Sequence, residues 1–430
     1  MSQVSPEAVA AAKNIRDRTF FWDRWRMIST GIQETAFTTF VLLIAIQQFN
    51  AGPASKAILA CAFPAGMLLT PALVTLVARS HLSGAQAASR LLLAAAGCLL
   101  VPVFVPLATV FLVAMSAGMV LSSLVIPLFT QIYQDNYGAS ERGTLFTRAA
   151  VVRIASAAAF AYLGGWLLEQ GMSANARWVL LILAVSAVFA AFCVSRFPSK
   201  RGAQAVPLNE KGKVNVWHAL SYVKTDALFR RTLCSWMLMG MGMLMIVPLR
   251  VEYLANPKYS LGLTPVMVAF IMNIAPNLVR FFFSPMWGRL FDQLNFFALR
   301  VMLNGILAVS MLFFFHSRNV WMLLFATLLF GIGTAGGDVA WNLWVTKVAK
   351  PEHVGEYMSV HLLFNGIRGL IAPFLGFYGT QYLPIQWVVY LAIAFMIGGC
   401  VIIVPEARHL REKRPGKPVV ANIGGGSMGS

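Results

Sequence analysis

The chain has 430 residues, of which 58% are hydrophobic and only 12% charged, and it carries a formal net charge of +18 with a mean hydropathy of +0.70. About a dozen apolar stretches follow one another, each near the roughly 20 residues that a helix needs to cross about 30 Å of hydrocarbon, and this excludes an ordinary soluble fold. The positive charge does not call for nucleic acid, because the 34 Lys and Arg residues are spread through polar loops as membrane topology requires. Five cysteines, Cys61, Cys98, Cys193, Cys234 and Cys400, sit inside apolar runs. They form neither a disulfide framework nor a zinc-type pair, and no cofactor is expected.

Ser5-Pro6-Glu7 reads as an N-cap, a first-turn proline and an early acid. Residues 1–26 are expected to form an interfacial helix on the inner leaflet, with no secretory signal. Membrane helices are then expected in chain order. Helices 1 to 4 fall at Met27–Phe49, Ala54–Val77, Gln86–Val103 and Ala108–Tyr133. Helices 5 to 8 fall at Thr144–Leu168, Arg177–Val194, Leu233–Val251 and Pro265–Trp287. Helices 9 to 12 fall at Phe297–Phe315, Trp321–Val345, Tyr357–Tyr378 and Ile385–Val404. An even number of spans puts both termini on one side. Arg16, Arg24, Arg26, Lys211, Lys213, Arg230, Arg231, Arg408 and Arg411 lie on that side, against Lys56, Arg177, Arg250, Lys258 and Arg318 opposite. By the positive-inside bias both termini are cytoplasmic in a cell's inner membrane.

The longest polar stretch, 198–231, includes an amphipathic Val216–Phe229 segment and separates bundles at 27–197 and 232–405. A tail follows at 406–430, whose final Gly424 to Ser430 run reads as a cloning scar. Internal repetition supports two related halves. Gly143 and Gly355 open helices 5 and 11, Gly164 and Gly376 lie further along them, and both pairs are 212 residues apart. Arg90 and Arg300 start helices 3 and 9 at a separation of 210.

Gly288-Arg289-Leu290-Phe291-Asp292 follows the expected end of helix 8. This run is similar to the cytoplasmic signature of the major facilitator superfamily, and the chain resembles that family over essentially residues 10 to 410. The departures are specific: Gln293 to Phe297 replace the family's basic continuation, and the first-half turn Val77 to Leu82 lacks the motif. The resemblance implies an all-α integral membrane protein of twelve helices in two pseudo-symmetric six-helix bundles, with Gly288 and Asp292 in gating. A simple turn cap is the competing role for Asp292.

Ionised side chains deep in a bilayer need partners or a water-filled cavity. Glu34 on helix 1, Arg153 on helix 5 and Asp338 on helix 10 meet this description. Asn273, Asn277 and Arg280 follow an i, i+4, i+7 pattern on one face of helix 8, and His361, Asn365 and Arg368 do the same on helix 11. Such stripes should face a cavity or one another. Arg153, Arg280 and Arg368 would bind an anionic solute through their planar forks, with Asn273, Asn277 and Asn365 orienting it. Structural pairing of Arg280 with Asp338, or of Arg153 with Glu34, is the alternative. Glu34 and Asp338 are proton-carrier candidates, and His361 is a third because imidazole titrates near neutral pH.

Met237, Met241 and Met245 form a stripe on helix 7. Thioethers bind Cu(I), but adaptable apolar packing is the simpler reading. Helix 5 has Phe160 to Gly165 where the family's exporters have G-P-x-x-G-G. No nucleotide-binding loop or nucleophile turn points to an ATP-driven pump or an enzyme. The expectation is a monomeric, proton-coupled secondary active transporter that takes a small polar, anionic organic solute across the bilayer by alternating access. Export of lipophilic or cationic compounds and copper import are the alternatives.

Overall fold

A computed structural model describes residues 6–138, 141–199, 216–348 and 354–412. Twelve helices in it are long and apolar enough to cross a membrane. Helices 1 to 6 contain the spans Ala10–Gln47, Pro53–Thr70, Gly84–Phe104, Ala108–Asn136, Thr144–Glu169 and Met172–Ser195. Helices 7 to 12 contain Ala227–Ala255, Pro265–Phe291, Phe296–His316, Val320–Asp338, Val360–Tyr382 and Ile385–Ala407.

Three boundaries differ from those expected. Helix 1 is continuous from Pro6, so the segment up to Arg26 extends the first span and does not form a separate interfacial helix. Helix 7 begins at Ala227, where Asp226 Oδ1 accepts the Phe229 amide at 2.9 Å, and this cap divides the expected Val216–Phe229 helix into Val216–Thr225 and the start of helix 7. Helix 8 runs on to Gln293 and takes Gly288 and Asp292 into its last turns. The Asp292 side chain lies outside the described residues, as does the tail beyond residue 412.

The two halves repeat the same packing. In the first, helix 1 packs on 5 and 6, helix 3 on 4 and 6, and helix 2 on 4. In the second, helix 7 packs on 11 and 12, helix 9 on 10 and 12, and helix 8 on 10. The principal contacts between halves, 2 with 11 and 5 with 8, are themselves related by the repeat. The glycine pair at 212 spacing has matching roles: a Cβ on Gly164 would lie 2.5 Å from the Phe40 ring of helix 1, and one on Gly376 would lie 2.5 Å from the Met245 carbonyl of helix 7. Small residues here let the helices approach closely.

The core is shared at one end and divided at the other. At the end far from the termini, one apolar cluster joins Leu43 and Ile44 of helix 1 to Leu249, Val268 and Phe377 of the second half. At the terminal end there are two clusters, one around Val77, Leu128 and Val194 and the other around Trp236, Trp287 and Leu303. The halves therefore meet at the distal end and part toward the termini. Exposed Trp178, Trp321, Tyr382 and Trp387 ring the distal end, where amphipathic rings suit a membrane interface.

Candidate functional site

Between the halves lies a cavity of about 500 Å³. Its walls are largely apolar, with Phe37, Phe63, Met119 and Phe129 on one side and Leu244 and Val247 on the other. The polar lining comes mainly from one strip of helix 1, Arg26, Thr30, Gln33, Glu34 and Thr38, with Ser122 of helix 4. This strip exists because residues at i, i+4 and i+7 share a helix face.

Glu34 is the hub of a charged network that crosses the divide. It pairs with Arg153 of helix 5 in its own half and lies 3.8 Å from Arg280 Nη1 of helix 8 in the other. Arg280 also pairs with Asp338 and donates to Asn277 Oδ1 at 3.1 Å. Two guanidiniums thus face two carboxylates, and both side chains of the Glu34–Arg153 pair are about a quarter exposed, at 27% and 22%.

Asn273 makes a separate contact between halves. Its amide nitrogen donates to Thr39 Oγ1 at 2.8 Å, and its carbonyl oxygen accepts from Thr38 Oγ1 at 3.2 Å. Both partners sit in π-helical turns, Ala36–Phe40 and Phe270–Ile274. Such turns insert one extra residue into the helical repeat and are frequent at functional sites.

The helix 11 stripe lies elsewhere. Arg368 is buried and donates to the Trp236 carbonyl, with its guanidinium where a side chain on Gly240 would otherwise stand. His361 is fully buried with its ring edge-on to Trp236, centroids 5.3 Å apart. Asn365 reaches Met67 Sδ of helix 2 at 3.8 Å, a weak contact. None of the three lines the cavity, although their helix contributes Gly369 and Pro373 to it. The methionine stripe is split, Met237 packing on the terminal-end cluster and Met241 and Met245 on the shared one. Among the described residues no group of three or more His, Cys, Asp or Glu could hold a metal.

Two ion pairs escape sequence reasoning. Asp23 is fully buried and Arg26 nearly so. Arg26 Nε donates to Asp23 Oδ1 at 2.9 Å, and Tyr133 Oη donates to the same oxygen at 2.7 Å. The i, i+3 spacing is visible in the sequence but falls in a segment expected to rest on the membrane surface. At the distal end, Lys56 Nζ of helix 2 lies 2.7 Å from Glu252 Oε1 of helix 7, both buried. Asn256 Nδ2 donates to the same oxygen at 2.7 Å. Sequence alone places Lys56 among the distal loop charges and Glu252 just beyond a span.

Two six-helix bundles closing on one cavity, with ion pairs between them at two levels, define a secondary transporter fold. The Major Facilitator Superfamily model matches residues 26–317 and 253–423, and the chain belongs to that family. Among solved structures, the nucleoside transporter NupG superposes with a TM-score of 0.69 at 12% identity, covering 93% of this chain and 100% of that one. A D-xylose-proton symporter gives 0.65 at 12%, covering 92% and 97%. A point mutant of the peptide transporter POT gives 0.67 at 14%, covering 95% and 100%. No curated protein matches this sequence.

Proposed function

We propose that this secondary transporter moves a small, largely apolar organic solute carrying a neutral or cationic polar group, coupled to protons through Glu34. The observation that carries this reading is the lining of the cavity. Its walls are apolar, and its two charged lining groups, Arg26 and Glu34, already have partners of opposite sign. Among the described residues no unpaired cation lines the cavity: Arg26 is paired with Asp23, Arg153 and Arg280 face Glu34 and Asp338, and Arg368 is turned toward helix 7. An apolar solute loses little on entering such a space, and one polar contact fixes its orientation.

Glu34 suits the coupling role because it touches a cation in each half. Protonation removes the negative charge that joins Arg153 to Arg280 and so loosens the contact between bundles at mid-depth. The positive-inside bias supports a cytoplasmic terminal end, which makes the parted end of the cavity the inward side.

The anionic reading keeps one support. With Glu34 protonated, Arg153 and Arg280 face Asp338 alone, and the network gains one net positive charge that a carboxylate could meet. Flux into proteoliposomes under an imposed pH gradient separates the two. Uptake of lipophilic neutral or cationic compounds that is driven by the gradient and uncoupled in Glu34→Gln supports the first. Gradient-driven uptake of carboxylates alone overturns it in favour of the second.

A further inference from the structure

Every buried acid in the described residues has a basic partner, but the reverse does not hold. Asp23 takes Arg26 and Glu252 takes Lys56. Arg250, Arg300 and Arg368 remain, all buried in the second half with no carboxylate in ion-pair reach among the described residues. Arg250 has its own compensation. It is stacked between Phe314 and Phe330, at 4.6 and 4.1 Å from the ring centroids, and donates to Thr327 Oγ1 at 3.1 Å.

Arg300 and Arg368 are compensated less well, and both converge on one tryptophan. Arg300 lies over the Trp236 ring at 3.8 Å and Arg368 donates to the Trp236 carbonyl. Arg300 also reaches the Met239 sulfur at 3.6 Å, a poor acceptor. The Nε of each is buried with no acceptor, as is that of Arg250. His361 packs edge-on to the same tryptophan, so two guanidiniums and an imidazole gather on Trp236. Cations buried together without a carboxylate are costly unless something negative accompanies them. Only 8% of Arg300 and 7% of Arg368 remain exposed, so bulk water does not supply the missing counter-charge, and a counter-ion here has to be small and enclosed by protein.

We infer that Arg300 and Arg368 hold a monatomic anion of the chloride class beside Trp236, between helices 7, 9 and 11 and apart from the central cavity. The ion joins three helices of the second bundle and stabilises it as a rigid unit. The repeat-related residue in the first half, Arg90, is exposed, so the site belongs to one half alone.

The test uses the purified full-length protein at constant ionic strength, with sodium chloride exchanged for sodium gluconate. The expected result is a saturable rise in Tm with chloride and bromide, together with chloride-35 NMR line broadening by exchange. Both signals should weaken at least tenfold in apparent affinity in Arg300→Gln and in Arg368→Gln, and persist in Arg250→Gln. If a glutamine variant does not fold, Arg300→Lys and Arg368→Lys keep the charge but lose the fork, and the same loss is expected of them. The inference is overturned if the wild-type protein shows no halide-specific effect, if the variants keep it, or if phosphate binds in place of chloride. None of these readouts depends on a transported substrate.

Discussion

The pair formed by Lys56 and Glu252 gives the sharpest expectation about how the distal end opens. Both side chains are under a tenth exposed, and their charged atoms are 2.7 Å apart. With an effective dielectric of about 20, the attraction at that distance is about 6 kcal/mol before desolvation is subtracted. Removing one partner leaves a buried uncompensated charge and costs about 3 to 5 kcal/mol. Because the pair joins helix 2 to helix 7, any state open at the distal end has to break it. A loss of about 3 kcal/mol is about a 150-fold shift in population toward states open at that end. Glu252→Gln and Lys56→Met should each lower Tm and speed backbone hydrogen exchange around Arg250 to Asn256. Lys56→Glu with Glu252→Lys should recover much of both. Unchanged exchange and Tm in both single variants would refute the assignment of this pair as a latch between halves.

Other substitutions probe different levels of the same machine. Gly165→Val should push helices 5 and 8 apart, since a Cβ there would stand 2.9 Å from the Val266 Cα and 3.2 Å from the Pro265 carbonyl, both backbone atoms that cannot swing away. Labelling of distal cysteine probes should rise in that variant. Gly376→Ala should cost about 1 to 3 kcal/mol through overpacking against helix 7, read as a fall in Tm. Asp23→Asn leaves Arg26 buried beside Tyr133 without its counter-charge and should destabilise by about 3 to 5 kcal/mol, whereas Asp17→Asn on the exposed face should change Tm little. Glu34→Gln should flatten the pH dependence of gradient-driven flux while leaving exchange between substrate pools intact.

Hydropathy locates the twelve spans because lipid imposes one requirement on every crossing segment. It misses the continuity of helix 1 across Arg26 and misplaces helix ends at Ala227 and Gln293 because it marks the apolar slab, and backbone hydrogen bonding continues through charged residues such as Arg16 and Arg289 beyond it. Helical spacing puts Asn277 and Arg280 on one face, where they hydrogen-bond, and simple charge matching anticipates the joining of Arg153 to Glu34 and Arg280 to Asp338. Spacing does not say which way the helix 11 stripe turns, and Arg368 faces helix 7 because Gly240 leaves room for it there. Lys56 with Glu252 is out of reach for another reason: the partners are 196 residues apart, and only the docking of the two halves brings them together.

The uneven division of the apolar core has a calorimetric consequence. While the distal end is closed, the cluster joining Leu43 and Ile44 to Leu249 and Phe377 ties the bundles into one cooperative block, and heat should melt them in a single endotherm. A state opened at that end has cut this block in two. Each bundle then keeps its own internal packing and loses its neighbour's support, so the endotherm should split. The shape of the melting curve, apart from its midpoint, therefore reports which face of the transporter is open.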